Sequence, residues 1–249
     1  PKKISTILAA IGIFSKVDCR FISQKKNFLS FHKKSKLRKF FSYYKDVKYT
    51  KSNICEAFEK IKKTSEEYIV LLDMYPYYRD LIETTKINLI DVKQHYYKIN
   101  KLLHSLQKMY NKKIAVSIHP DYPEKFYKKY LPNQKIYKLR TIELISKAYI
   151  VLFFNSSAIV QAIFLDKRII SLNSSIFEGK KNMSDKYNER LKAKSIRLSN
   201  EYNLNKKNFI SDLDNRIKNY RKYKEDNLGL HLKNNSSEEI SKFIIKNYL

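Results

Sequence analysis

Several positions in this sequence place groups able to hold an anion or move a proton at a change of local pattern. His119-Pro120 closes the apolar run Lys113–Ile118, and Asn155-Ser156-Ser157 follows the run YIVLFF that starts at Tyr149. Arg140-Thr141 stands just ahead of Glu143, and Gln161 lies four residues past Ser157. Asp73 sits near the end of YIVLLDM (Tyr68–Met74), with Asp80 seven residues later. The first residues of a helix expose unpaired N–H groups and a partial positive charge, so a Ser-Ser turn there suits phosphate. The two hydroxyls add donors without bulk, and a histidine one strand away adds another, cationic when phosphate raises its pKa. Taken singly, each residue has a plainer role: Asn155 or Ser156 as an N-cap, His119 as a solvated loop histidine, Asp73 as a cap.

Other chemistries find no support. Gly12, Gly179 and Gly229 are isolated, so no glycine-rich phosphate loop exists, and neither GxSxG nor HExxH occurs. Cys19 and Cys55 lie in no CxxC pair and beside no histidine at ligand spacing, so neither metal nor disulfide framework is expected. No cofactor is predicted.

The elements that must gather these positions can be read from periodicity. Glu56–Glu67 reads as an amphipathic helix, and Tyr68–Met74 as a strand buried on both faces. Asp91–Tyr110 reads as a long helix turning Val92, Tyr96, Ile99, Leu102, Leu103 and Leu106 inward. Further strands are expected over Lys113–Ile118, Lys135–Leu139, Tyr149–Phe154 and Arg168–Leu172. Helices are expected over Pro123–Tyr130, Thr141–Lys147 and Ser156–Leu165, and again near Phe209–Glu225 and Ser237–Asn247. The prediction is an α/β fold, a Rossmann-like parallel sheet with helices on both faces. In such a sheet ligands bind at the carboxyl ends of the strands, where the polar positions above fall. The tyrosines around His95-Tyr96-Tyr97 are assigned to core and interface. The expected division is a basic N-terminal segment over residues 1–51 and the Rossmann-like domain over 52–249.

Hydrophobic residues make up 43% of the 249, too many for a disordered chain despite a net charge of +27. Residues 1–51 hold fourteen Lys/Arg and two Asp/Glu, so 14 − 2 = +12 of that charge lies in the first fifth. Such a patch is attracted to an anionic membrane surface. Lys, Asn, Ile and Tyr also abound, as they do in any protein from an AT-rich genome. The apolar stretch Ile4–Phe14 is too short to span a bilayer and precedes no small-residue cleavage site, so it reads as a buried helix or strand. Pro1 in place of Met suggests a processed or truncated chain. The expected location is cytoplasmic, peripheral on the inner face of a bacterial inner membrane. Charge and twenty tyrosines also suit a nucleic-acid-binding protein, but no reading helix, RNP-like strand or OB pattern is present, so no specific nucleic-acid partner is expected.

Between Ile114 and Leu172, the segments IAVSIHPDYP and KLRTIELISKAYIVLFFNSSAIVQAIFLDKRIISL carry a strand, His-Pro, a Thr-x-Glu-Leu helix start, an apolar strand and a Ser-Ser turn. This order resembles the C-terminal domain of bacterial surface-carbohydrate glycosyltransferases of the GT-B architecture. Among them are sialyltransferases and polysialyltransferases described by His-Pro and Ser-Ser motifs. IVLLDMYPYYRDL and HYYKINKLL resemble a group of surface-polysaccharide transferases in which a strand ends in Asp and leads to a Pro-containing loop with a second Asp, here Asp80. The resemblance covers roughly residues 53–175. It implies a nucleotide-sugar donor, a CMP-sugar, and a glycan or glycolipid acceptor in capsule or lipooligosaccharide synthesis. His119 and Ser156-Ser157 would then contact phosphate, with Pro120 and Arg140-Thr141 beside base and ribose. Gln161 stands where many GT-B enzymes place an acidic residue that holds the ribose. A GT-B enzyme has two such domains, and only about fifty residues precede this one. A general base can be sought in Asp73, Asp80, Asp121 or Glu143, with Asp73 and Asp80 the first candidates. A nucleotide-sugar epimerase of related fold is the remaining alternative and requires a carboxylate pair at the cleft.

Overall fold

The computed structural model describes residues 17–22, 44–49, 61, 64–76, 89–154, 156–177, 189, 191–202, 204–228, 238, 241–242 and 245. The segment Ile4–Phe14, most of the expected helix Glu56–Glu67, and the candidates Asp80 and Asn155 lie outside them. The chain divides into two compact units, residues 1–60 with 222–249, and residues 61–221. In the first, β1 (Val17–Ile22) pairs in parallel with β2 (Tyr44–Tyr49), Val17 opposite Tyr44. Glu238, Ser241, Lys242 and Ile245, inside the expected C-terminal helix, are helical.

The second unit is built on a six-stranded parallel sheet. Its elements in chain order are β3 (Tyr68–Leu72), α1 (Leu89–Tyr110), β4 (Lys113–Ile118), α2 (Glu124–Tyr130), β5 (Lys135–Lys138), α3 (Thr141–Ser146), β6 (Ala148–Phe153), α4 (Ile159–Phe164), β7 (Arg168–Asn173), β8 (Lys194–Arg197) and α5 (Lys206–Ile217). A helix α6 (Tyr220–Leu228) follows, and its first two residues belong to this unit. The strand order is β5-β4-β3-β6-β7-β8, all neighbours parallel. Counted within the unit this is 3-2-1-4-5-6, the doubly wound order of dinucleotide-binding folds. The order reverses between β3 and β6, where Leu72 lies opposite Phe153.

Why these residues fold this way is plain in the central strands. Ile69, Val70 and Leu71 are fully buried, as are Ile150 through Phe153, which only a sheet covered on both faces permits. Ile69 and Leu71 join Ile99, Leu103 and Leu106 of α1 and Leu213 of α5 in one core. Their alternates along the strands face the other side, where α3 and α4 pack on each other. α1 ends at Asn111, whose φ of 52° is the left-handed turn that asparagine tolerates, its N–H donating to Gln107 O at 2.8 Å.

The structure corrects several expected boundaries. Thr64–Glu67 is not helical: Glu67 N–H donates to Lys147 O, and Lys113 N–H donates to Glu67 O, so the ladder already claims it. The helix expected from Ser156 starts only at Ile159. The single helix expected over Phe209–Glu225 is two, broken at Lys218-Asn219, where Asn219 Nδ2 donates to Leu191 O. Among the described residues no helix is long and apolar enough to cross a membrane.

Candidate functional site

The two edges of the sheet are finished differently. At the amino edge, Arg168 donates to Asp214 at 2.7 Å and to Glu66 at 3.2 Å and stacks 4.7 Å from the Tyr149 ring, while Lys112 caps Glu66 O. At the carboxyl edge, buried polar atoms stand without a partner. They include Asp73 Oδ1 after β3, Asn173 Oδ1 at the end of β7, Gln161 Oε1 at the start of α4 and Tyr127 OH in α2. A further one, Tyr110 OH, lies at the amino edge beside Tyr149, but most of the unpaired buried atoms among the described residues gather at the carboxyl edge, and each such group is costly until a partner reaches it.

Asp73 is the central group. It directly follows β3, its N–H donates to Ser117 O at 3.2 Å, and its side chain is buried. Tyr96 Oη, reaching across from α1, donates to Oδ2 at 2.6 Å. Burial pushes the carboxyl up to about 7, against the pull of Tyr96, the Met74 N–H and Tyr127. Tyr127 lies close enough to lower the carboxyl's pKa without an ordinary hydrogen bond. Next along α1, His95 Nδ1 lies 2.7 Å from Ser174 Oγ, and Nε2 is buried with no partner. Burial first, and then Lys98, push this imidazole down to about 3, so it is neutral. Neither Asp73–Tyr96, separated by 23 residues, nor His95–Ser174, separated by 79, was visible in the sequence. The inward placement of Tyr96 was the one available signal.

His119 follows β4, its side chain 57% exposed, with Nδ1 accepting from Asp121 N–H at 3.3 Å and lying 3.4 Å from the Asp121 carboxylate. No described residue bonds Nε2. Its ring packs 5.2 Å from Tyr122, and Tyr122 packs 5.3 Å from Tyr75, so an aromatic ledge joins the ends of β4 and β3. Pro120 O accepts from Lys138 Nζ at 2.8 Å, tying the His-Pro loop to β5. Thr141, the first residue of α3, shares a 2.8 Å hydrogen bond with Ser117 of β4. Arg140 is less free than its charge suggests: both Nε and Nη2 donate to Glu143, at 2.8 and 2.7 Å, and the guanidinium lies over Tyr137.

Past β6, Ser156 and Ser157 form a turn ahead of α4 instead of its first residues. Ser156 Oγ accepts from Ala158 N–H at 3.3 Å, and its backbone O accepts from Ile159. Ser157 is exposed and its hydroxyl bonds no described residue. α4 has only six residues, so hydroxyls and local N–H groups, more than a helix dipole, are what this turn offers an anion. Gln161 is half-buried within α4. The fold thus brings Asp73, His119, Pro120, Arg140, Thr141, Ser156, Ser157 and Gln161 to one edge of one sheet.

No protein-family model matches this sequence, and no curated protein does. Solved structures do. UDP-GlcNAc 2-epimerase of Methanocaldococcus jannaschii, in complex with UDP-GlcNAc and UDP, is 18% identical with a TM-score of 0.39, over 78% of this chain and 49% of that one. TarM is 11% identical with a TM-score of 0.38, over 98% and 46%. KpsC of Thermosulfurimonas dismutans, a beta Kdo 2,4 transferase, is 12% identical with a TM-score of 0.30, over 64% and 45%. The chain spans about half the length of each.

Proposed function

We propose that this chain is the donor-binding half of a GT-B glycosyltransferase that uses a nucleotide-activated sugar, a CMP-sugar first among the candidates, to build a bacterial surface carbohydrate. The acceptor is a glycan or glycolipid. The observation that carries the reading is the placement of His119 and the Ser156-Ser157 turn on either side of the point where strand order reverses. They end β4 and β6, two strand spacings or about 10 Å apart, a gap that a phosphate and its ribose can bridge. The sugar chemistry comes from the sequence resemblance.

In this reading His119 Nε2 and the Ser157 hydroxyl donate to the phosphate and stabilise the charge it gains as the sugar leaves. Gln161 Oε1 accepts from a ribose hydroxyl, which satisfies an oxygen otherwise unpaired. Pro120 and Arg140-Thr141 border the nucleoside. The base that deprotonates the acceptor comes from the partner half, or from a carboxylate such as Asp80.

A test is calorimetry with CMP-, UDP- and GDP-activated sugars on wild type and Ser157→Ala. The reading expects one of them to bind, and the variant to bind it about ten- to a hundred-fold more weakly with an unchanged melting curve. His119→Ala should weaken it too, by a similar factor. Unchanged affinity in both variants leaves the fold without this site.

A further inference from the structure

We propose that Asp73 is a proton-carrying group of this cleft: a hydrogen stays on its carboxyl when nucleotide phosphate occupies the edge, so filling the site draws in a proton. The inference rests on the preceding reading of the edge and adds a group that reading leaves unused.

Position comes first. Asp73 continues the β3 ladder, bonded to Ser117 of β4 on one side, with Leu72 opposite Phe153 of β6 on the other. A phosphate shared between His119 and Ser156-Ser157 must therefore pass over the end of β3, about one strand spacing from each. The group beneath it is a carboxyl.

Compensation comes second. The groups facing this carboxyl are the Tyr96 hydroxyl from α1, the Tyr127 hydroxyl from α2 and the Met74 N–H. Burial raises the pKa of both tyrosines, which stay neutral, and His95, edge-on to Tyr96 at 4.9 Å, is neutral as well. Among the described residues no lysine or arginine pairs with Asp73. Oδ1 is enclosed and has no partner. An ionised carboxylate here would set an uncompensated charge beneath a second anion in a low-dielectric interior. A proton taken from solvent removes that repulsion. Burial, partly offset by the Tyr96, Met74 and Tyr127 donors, already holds the group at about 7, and a nearby anion pushes it further the same way.

The sign follows by linkage. The bound anion raises the carboxyl's pKa above its value in the empty protein. Well below pH 7 the group is protonated in both states and affinity does not change with pH. Above it, binding requires uptake of a proton, and affinity falls by up to about tenfold per pH unit.

The test uses the full chain with CMP-N-acetylneuraminate and UDP-N-acetylglucosamine, whose esterified phosphates do not titrate near neutrality. Calorimetry at about pH 8 in Tris and in HEPES gives the protons taken up per ligand. Wild type should take up a fraction approaching one, His119→Gln should keep that uptake, and Asp73→Asn should lose it. Asp73→Asn should match wild type at about pH 6 and bind about tenfold more tightly at about pH 8. Equal uptake in Asp73→Asn and wild type, or equal weakening at both pH values, overturns the proposal. If Asp73→Asn does not fold, Tyr96→Phe serves: losing its donor on Oδ2 should move the fall in affinity to higher pH, and no movement counts against Asp73. Binding with neither uptake nor pH dependence removes this inference alone, whereas no binding of either sugar nucleotide removes the proposed function with it.

Discussion

Asp73 and His95 are buried with their charges suppressed in opposite directions, and the stability of the fold should record both. The folded protein holds the Asp73 proton up to about 7 against an ordinary 3.8. Its contribution is complete below pH 3.8 and is lost as pH rises through 7. His95 is held at about 3 against 6.5, so its contribution is present above 6.5 and is lost as pH falls toward 3. Between these limits the two slopes oppose each other. Asp73→Asn should therefore gain stability relative to wild type as pH rises from about 4 to about 7, on the order of 4 kcal/mol, and should itself lose stability in acid. Urea unfolding of both proteins at several pH values measures this, and a difference independent of pH refutes the burial of an unpaired carboxyl. None of this was legible beforehand. A sequence shows Asp73 at a strand end, but not that Tyr96, 23 residues on, turns its hydroxyl onto it.

At the scale of elements, the strands buried on both faces were the most legible. Ile69–Leu72 and Ile150–Phe154 are short continuous apolar runs, and Ile114–Ile118 is broken only by Ser117, the pattern of strands buried on both faces of a parallel sheet. β8 was missed because an edge strand reads differently: Lys194, Ser195, Ile196 and Arg197 alternate in exposure and carry charge, which protects an edge. The break at Asn219 escaped because a side-chain bond to Leu191, 28 residues away, decides it. The contrast between the sheet's edges yields a prediction. Arg168 joins the start of β7 to α5 and to the segment before β3. Arg168→Ala should lower stability by about 1–2 kcal/mol through lost ion pairs and ring stacking. It should leave sugar-nucleotide affinity unchanged, because it lies at the opposite end of the strands. Calorimetry beside a melting curve checks both halves, and lost affinity at unchanged stability would place function on the wrong edge.

For the whole molecule, alternation of strands and helices in the sequence gave the α/β class, but not the order in which the strands lie. That order depends on which crossover jumps to the far side of β3, and no local residue encodes it. The net charge of +27 is a property at this scale, and fourteen basic against two acidic residues in the first 51 concentrate it. We propose that this segment holds the protein to anionic membrane. Co-sedimentation with vesicles should rise with phosphatidylserine content and fall with added salt, since exposed charge is screened over roughly 8 Å at physiological ionic strength. Equal binding to neutral vesicles would rule it out.

The pairing of β3 with β6 has a kinetic consequence. Tyr68 and Ala148 are partners 80 positions apart, whereas Tyr68 and its other neighbour Lys113 are 45 apart. The sheet is thus two locally wired halves, β3-β4-β5 and β6-β7-β8, zipped along one long-range seam. Closing that seam carries the largest loop-entropy cost and should come late in folding and open early in unfolding. A nucleotide that rests on the ends of β4 and β6 straddles this seam. If the proposed function holds, such a nucleotide would also act as a clasp, slowing the step by which the halves come apart.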